Sequence, residues 1–200
     1  MQNYIEKGMT FDEYSRLIDQ VVAEGKTTGA NQTEELAEYT KLNQARMRRL
    51  YKSSDLNESL LETVRSLKVN WVWLTLTEAW CGDAAQNIPT IEKIARENDG
   101  IQSLYLLRDD NLELMDKYLT NGGRAIPKLI CLDAATQKEI GTWGSRPQAA
   151  YDLFYELKEK GLEKTEIIEK IHRWYIEDNT QSLQKEFEKL LLEWSEMPRI

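Results

Sequence analysis

The chemistry available to this chain centres on one sulfur. The run from Trp71 to Ala84, WVWLTLTEAWCGDA, takes an apolar, β-prone segment (Trp71 to Thr77) into the start of a predicted helix and delivers Cys81 to that corner. A thiolate, not a thiol, attacks disulfides and electrophiles, so a reactive cysteine needs surroundings that stabilise negative charge. The unpaired N–H groups and dipole of a helix N-terminus provide one such source. Asp83 acts the other way: a carboxylate beside the sulfur raises the thiol pKa and competes for the same helix N–H groups. The second cysteine, Cys131, falls in a separate predicted element.

The remaining reactive types are sparse. His172 is the sole histidine, and it falls between Ile171 and Arg173 on a helix far along the chain, where a helix-surface histidine is the simpler reading. Zinc sites of the common kinds need clustered Cys or His ligands; one histidine and two separated cysteines predict no metal and no cofactor. The segment GKT at Gly25 to Thr27 suggests a phosphate loop, but the full pattern needs Gly where Gln20 stands and a preceding strand where a helix is predicted. It reads as a helix–helix connection. Asp109 and Asp110 most simply cap a helix, although they follow a strand whose end lies near the ligand-binding edge of an open parallel sheet.

The elements that must position Cys81 follow from periodicity. Thr10-Phe11-Asp12-Glu13 reads as a capping box opening a helix near residue 11, with Tyr14, Leu17, Ile18, Val21 and Val22 at helical spacing and Gly25 ending it. A second helix is expected from about Thr33 to Lys52, and a third, capped at Asp55 to Glu58, to about Lys68. At Trp71 the pattern changes. A strand to Thr77, a helix from Asp83 to Glu97, a turn at Asn98-Asp99-Gly100 and a strand from Ile101 to Leu107 form a βαβ unit, which implies parallel strands with a right-handed crossover. A helix to about Leu119 follows and Asn121-Gly122-Gly123 stops it. Strands Pro127 to Asp133 and Lys138 to Trp143 are close enough for a hairpin. Gly144-Ser145-Arg146-Pro147 opens a helix with proline in its first turn, ending at Gly161. Thr165 to Trp194 is again helical, with two apolar stripes that suit the sheet, the N-terminal helices or a second subunit equally well.

Composition narrows the classes. The 200 residues carry 41% hydrophobic and 30% charged side chains, which fits one globular domain with a sizeable addition, and a net charge of −8 argues against a nucleic-acid partner. The basic cluster at Arg46, Arg48 and Arg49 suits a helix C-terminus. No apolar run approaches the roughly 20 residues that span a bilayer, and the first residues have no signal-like apolar region. The expectation is a cytoplasmic protein with reduced thiols and no membrane partner.

The order β-α-β-α-β-β-α over residues 71 to 160, with Trp80-Cys81 at the first strand-to-helix corner, resembles the thioredoxin superfamily. That resemblance implies an α/β fold, a thioredoxin-like three-layer sandwich at 70–161, with N-terminal (1–69) and C-terminal (162–200) helical extensions. It implies that Cys81 is the nucleophile, Trp80 its preceding aromatic, Gly82 the tight-turn residue and Pro127 the cis-proline that holds substrate backbone, with Ile126 beside it. Asp83 stands where proline is common, and Ala84 where the family usually has its second, resolving cysteine. Arg124, three residues before Pro127, is a candidate to offset the charge of Asp83 and to contact substrate. Cys131 lies four residues beyond Pro127, roughly 13 Å along a strand at about 3.3 Å per residue, whereas a disulfide needs Cα atoms within about 7 Å. It reads as a buried core cysteine.

Without a resolving thiol at Ala84, three functions follow from the resemblance. Cys81 can act alone, forming mixed disulfides with a protein disulfide or a low-molecular-weight thiol that an external thiol resolves, as in monothiol glutaredoxins or bacilliredoxins. The glycine–aspartate glutathione text of glutaredoxins is absent, since Gly141-Thr142-Trp143-Gly144 stands there. The domain can instead be a redox-inactive binding module, its helical extensions forming a homodimer or partner surface. A peroxidatic role ranks last, because Glu78 occupies the position where peroxiredoxins place Thr or Ser.

Overall fold

A computed structural model describes residues 1–197; the last three residues of the expected C-terminal extension, 198–200, lie outside the described residues. Strand β1 (Trp71–Thr77) runs through the middle of a four-stranded sheet. It pairs in parallel with β2 (Ile101–Leu107) and antiparallel with β3 (Lys128–Asp133), which pairs antiparallel with β4 (Glu139–Trp143). The order is β2-β1-β3-β4.

Every residue of β1 is buried, as expected of a strand covered on both faces. The period-2 alternation divides its side chains between two cores. Val72, Leu74 and Leu76 join Ile130, Leu132, Leu104 and Leu106, and on them rest Phe11, Tyr14 and Ile18 of α2 (Phe11–Ala23) and Met47 of α3 (Glu34–Ser53). Trp71 and Trp73 turn the other way, among Leu60 and Val64 of α4 (Glu58–Ser66) and Ile91 and Ile94 of α5 (Gly82–Arg96).

The same second core takes Leu183, Phe187, Leu191 and Trp194 of α9 (Gln181–Ser195). The last apolar stripe therefore packs on the sheet and on α4 of its own chain. Gly141 on β4 is required there, since a Cβ at that position would stand 2.2 Å from Trp194 Nε1. The other stripe, on α8 (Lys164–Asp178), packs Ile167, Ile171 and Tyr175 with Leu157 of α7 (Gln148–Glu159) in a third, smaller cluster.

The N-terminus departs from the sequence reading. A short helix α1 (Gln2–Lys7) precedes the capping box at Thr10 and Glu13, and Met9 then bridges to Tyr105 through paired N–H···O bonds of 2.9 and 2.8 Å. That bridge covers part of the outer edge of β2. The helix expected to reach Leu119 is one turn, α6 (Leu112–Met115), with Asn111 at its N-cap. Pro147 is the N-cap of α7 rather than a residue of its first turn.

Candidate functional site

The corner carrying Cys81 is fixed from beneath. Glu78 is fully buried; its carboxylate accepts from Thr28 Oγ1 and, at 2.9 Å, from the Asp109 backbone N–H. Burial holds its pKa above the usual carboxylate range, against the two hydrogen bonds that lower it. Thr28 Oγ1 accepts from Ala79 N (2.9 Å), while Asn43 Nδ2 donates to the Ala79 carbonyl (3.0 Å). Cys81 N then returns to the Glu78 carbonyl at 3.1 Å. The Thr28 loop and α3 thus set where the chain leaves β1.

Cys81 is the N-cap of α5, its sulfur accepting from Ala84 N at 3.4 Å. The thiol donates to the Ile126 carbonyl at 3.3 Å, and the Ile126–Pro127 peptide is cis. Trp80, Gly82, Asp83, Ala84, Ile126 and Pro127 thus gather around the sulfur or in the segments beside it. Cys131 is fully buried in β3 opposite Trp73; both cysteines are free.

Cys81 is 7% exposed. Its pKa is pushed up from the ordinary 9.0 to about 12, chiefly by burial, then by Asp83; the N–H groups of Ala84 and Asp83 and the Arg146 charge only partly oppose this. A helix-terminal dipole is worth at most about 2 kcal/mol, under 1.5 pKa units, whereas full burial shifts a group by up to about 3–5 units. At rest Cys81 is a protonated thiol.

Asp83 is held on both oxygens. Arg146 donates to Oδ2 through Nε (2.9 Å) and Nη2 (2.8 Å), and Tyr175 OH donates to Oδ1 at 2.9 Å. Asn87 links the Asp83 carbonyl (2.8 Å) to Tyr175 OH (3.0 Å). Arg146 also lies over the Phe154 ring, 4.3 Å from its centroid. The guanidinium paired with Asp83 is therefore that of Arg146. Arg124, expected to offset Asp83, forms a two-pronged pair with Asp116 at 2.7 and 2.9 Å instead, and the cation that pairs with Asp83 comes from the β4–α7 connection.

The sulfur borders a cleft of about 690 Å³ whose walls are α3, the Cys81 corner, Arg146 and Phe154, and the first half of α8. His172 corrects the surface reading. Its Nε2 is 3.4 Å from where a Gly82 Cβ would stand, and it lines the cleft with Arg46. Burial, and the charge of Arg46 after it, lower its pKa from the ordinary histidine value, against the Asp83 carboxylate, which raises it. The only sign of this in the sequence is helical spacing: His172 follows Ile171 and precedes Tyr175 by three, on the face that docks. Among the described residues no three His, Cys, Asp or Glu side chains come together as a metal would require, and no helix is long and apolar enough to cross a membrane.

A sheet of this order with a cysteine capping the helix after its central strand defines a thioredoxin-fold protein. A family model described as thioredoxin matches residues 29–164, and the chain belongs to that family. The match begins ahead of α3, within the segment expected as an N-terminal extension, and ends at the first residue of α8. Among solved structures the chain is similar to an HIV epitope-scaffold protein (17% identity, TM-score 0.56, covering 90% of this chain and 98% of that one). It is also similar to a Pseudomonas aeruginosa protein of unknown function (15% identity, TM-score 0.53, covering 94% and 95%). Both likenesses speak to fold alone. No curated protein matches.

Proposed function

We propose that the protein carries out thiol–disulfide exchange through Cys81 alone, as a monothiol member of its family in the cytoplasm. The observation that carries this reading is the position of the sulfur: at the N-cap of α5, against the Ile126 carbonyl, and on the wall of an open cleft. Cys81 loses its proton and attacks one sulfur of a disulfide R–S–S–R. The S–S bond breaks, Cys81–S–S–R forms, and the departing thiolate takes up a proton as R–SH. Ala84 offers no second sulfur, so an external thiol R′–SH attacks the R sulfur, giving R–S–S–R′ and returning the proton to Cys81.

A second reading, a binding module with an inert thiol, is favoured by the 7% exposure of Cys81 and its raised pKa. Mass spectrometry of native protein treated with oxidised glutathione at pH 8 separates the two. Exchange gives one adduct, on Cys81, absent from Cys81→Ser, with Cys131 unmodified. Modification of both cysteines only after denaturation establishes the binding module.

A further inference from the structure

Arg46 sits on the wall of the same cleft without a carboxylate of its own. Among the described residues it makes no ion pair; Nη1 donates to Asn43 Oδ1 at 2.9 Å. It is half-buried, so its charge is only partly hydrated; burial and then neighbouring Arg49 disfavour that charge, and the more weakly acting Asp83 carboxylate, itself paired with Arg146, only partly offsets them. Asn43 is itself fixed by the Ala79 carbonyl next to the Cys81 corner, so the guanidinium is held rather than free to swing. Its Nη1 lies 3.9 Å from where a Gly82 Cβ would stand.

The other charges of the cleft add to it. Arg46, Arg146 and Lys164 face Glu35 and Asp83 there. The pairing of Asp83 with Arg146 leaves two cations against one carboxylate, in a chain whose net charge is −8. A half-buried, unpaired cation in a concave site gains from an entering anion what it has lost in hydration. The volume of about 690 Å³ falls within the range of small-molecule sites, about 300–1,000 Å³, and suits a compact ligand.

We propose that Arg46 anchors a carboxylate of a small anionic thiol or disulfide, holding that molecule with its sulfur toward Cys81. This names the substrate class for the exchange proposed above and rests on that reading for its catalytic meaning, though not for binding. A planar guanidinium accepts a carboxylate through two parallel hydrogen bonds.

Two measurements test it. In the first, Cys81→Ser is titrated with S-methylglutathione, an unreactive carboxylate-bearing thioether, and binding is followed by calorimetry. The affinity should fall about tenfold or more when Arg46→Gln is added, the amide keeping a donor for Asn43, and should weaken as salt rises. In the second, the rates of Cys81 adduct formation are compared for oxidised glutathione (anionic) and cystamine disulfide (cationic). The native protein should prefer the anion by about tenfold or more, and Arg46→Gln should erase most of that ratio. Equal affinity for S-methylglutathione with and without Arg46 overturns the anion site. Binding that depends on Arg46, with no adduct from any disulfide, retains the anion site and overturns exchange.

Discussion

Asp83→Asn isolates the charge that works against the reactivity of Cys81. Two unit charges in the range of about 6–10 Å interact by about 1.7–2.8 kcal/mol at an effective dielectric of about 20, which corresponds to between about one and two pKa units. The substitution keeps the side chain's shape and an oxygen for Tyr175, and it leaves the Arg146 charge, which already favours the thiolate, unopposed. The thiol pKa should drop from about 12 by that amount, raising the thiolate fraction at pH 8 about 10- to 100-fold. Nucleophilicity falls as the thiol becomes more acidic, with a Brønsted coefficient of about 0.4–0.5, so alkylation by iodoacetamide should accelerate by about 3- to 16-fold. The assay is the rate of Cys81 carbamidomethylation from pH 7 to 11, read by mass spectrometry, with near-ultraviolet circular dichroism confirming that the tryptophan core is intact. An unchanged rate profile in a folded variant refutes the electrostatic reasoning, because it would mean that burial alone sets the sulfur's acidity.

Two further outcomes concern the fold. Gly141→Ala places a methyl group against the Trp194 indole and should destabilise the protein by about 1–3 kcal/mol, read as a lower urea midpoint; an unchanged midpoint contradicts the docking of α9 on β4. The second concerns alkaline pH. Cys81 titrates near 12 in the fold against 9.0 unfolded, and burial also raises Cys131 and Tyr14. For groups whose folded pKa is raised, the stabilisation is complete below the unfolded value and is lost as pH rises through the folded one. The urea midpoint should therefore fall from about pH 9 upward, and Tyr14→Phe should make the decline shallower; a flat midpoint to pH 11 contradicts the burial of these groups.

The sheet was legible because its signals are local. Trp71 to Thr77 is a strand buried on both faces and reads as a continuous apolar run, and the Thr10–Glu13 capping box is present as expected. Cys81 at a helix N-cap followed from the corner's text. What the sequence could not reveal is which long-range partners arrive there. Arg146 looked like part of a helix opening, Arg124 was nearer to Pro127 in the chain, and the stripe containing Ile171 and Tyr175 suited three different surfaces. Tertiary packing made those choices: α8 docks beside α7 and brings Tyr175 to Asp83 and His172 to Gly82. Just beyond the end of α6, Asp116 and Tyr118 contact Arg124 and Glu139.

That docking also shapes the surroundings of Cys81. The helix position gives Cys81 the N–H of Ala84, yet that bond is 3.4 Å long and the opposing burial is far larger. The enclosure is the core in which Cys81 sits with Tyr14, Ala85, Ile88 and Ile126, while α8 contributes Ile167, Ile168, Ile171 and His172 to the wall of the cleft and, through Tyr175, holds Asp83 in place. All but the first residue of α8 lies beyond the stretch matched by the family model. The fold thus supplies the buried N-cap position that sets the sulfur's acidity, with Asp83 adding to it, and an element largely outside the matched stretch shapes the cleft in front of it. A carboxylate-bearing substrate that entered along Arg46 would arrive with its own counter-cation already positioned, so selection by charge and access to the sulfur would be governed by the same cleft.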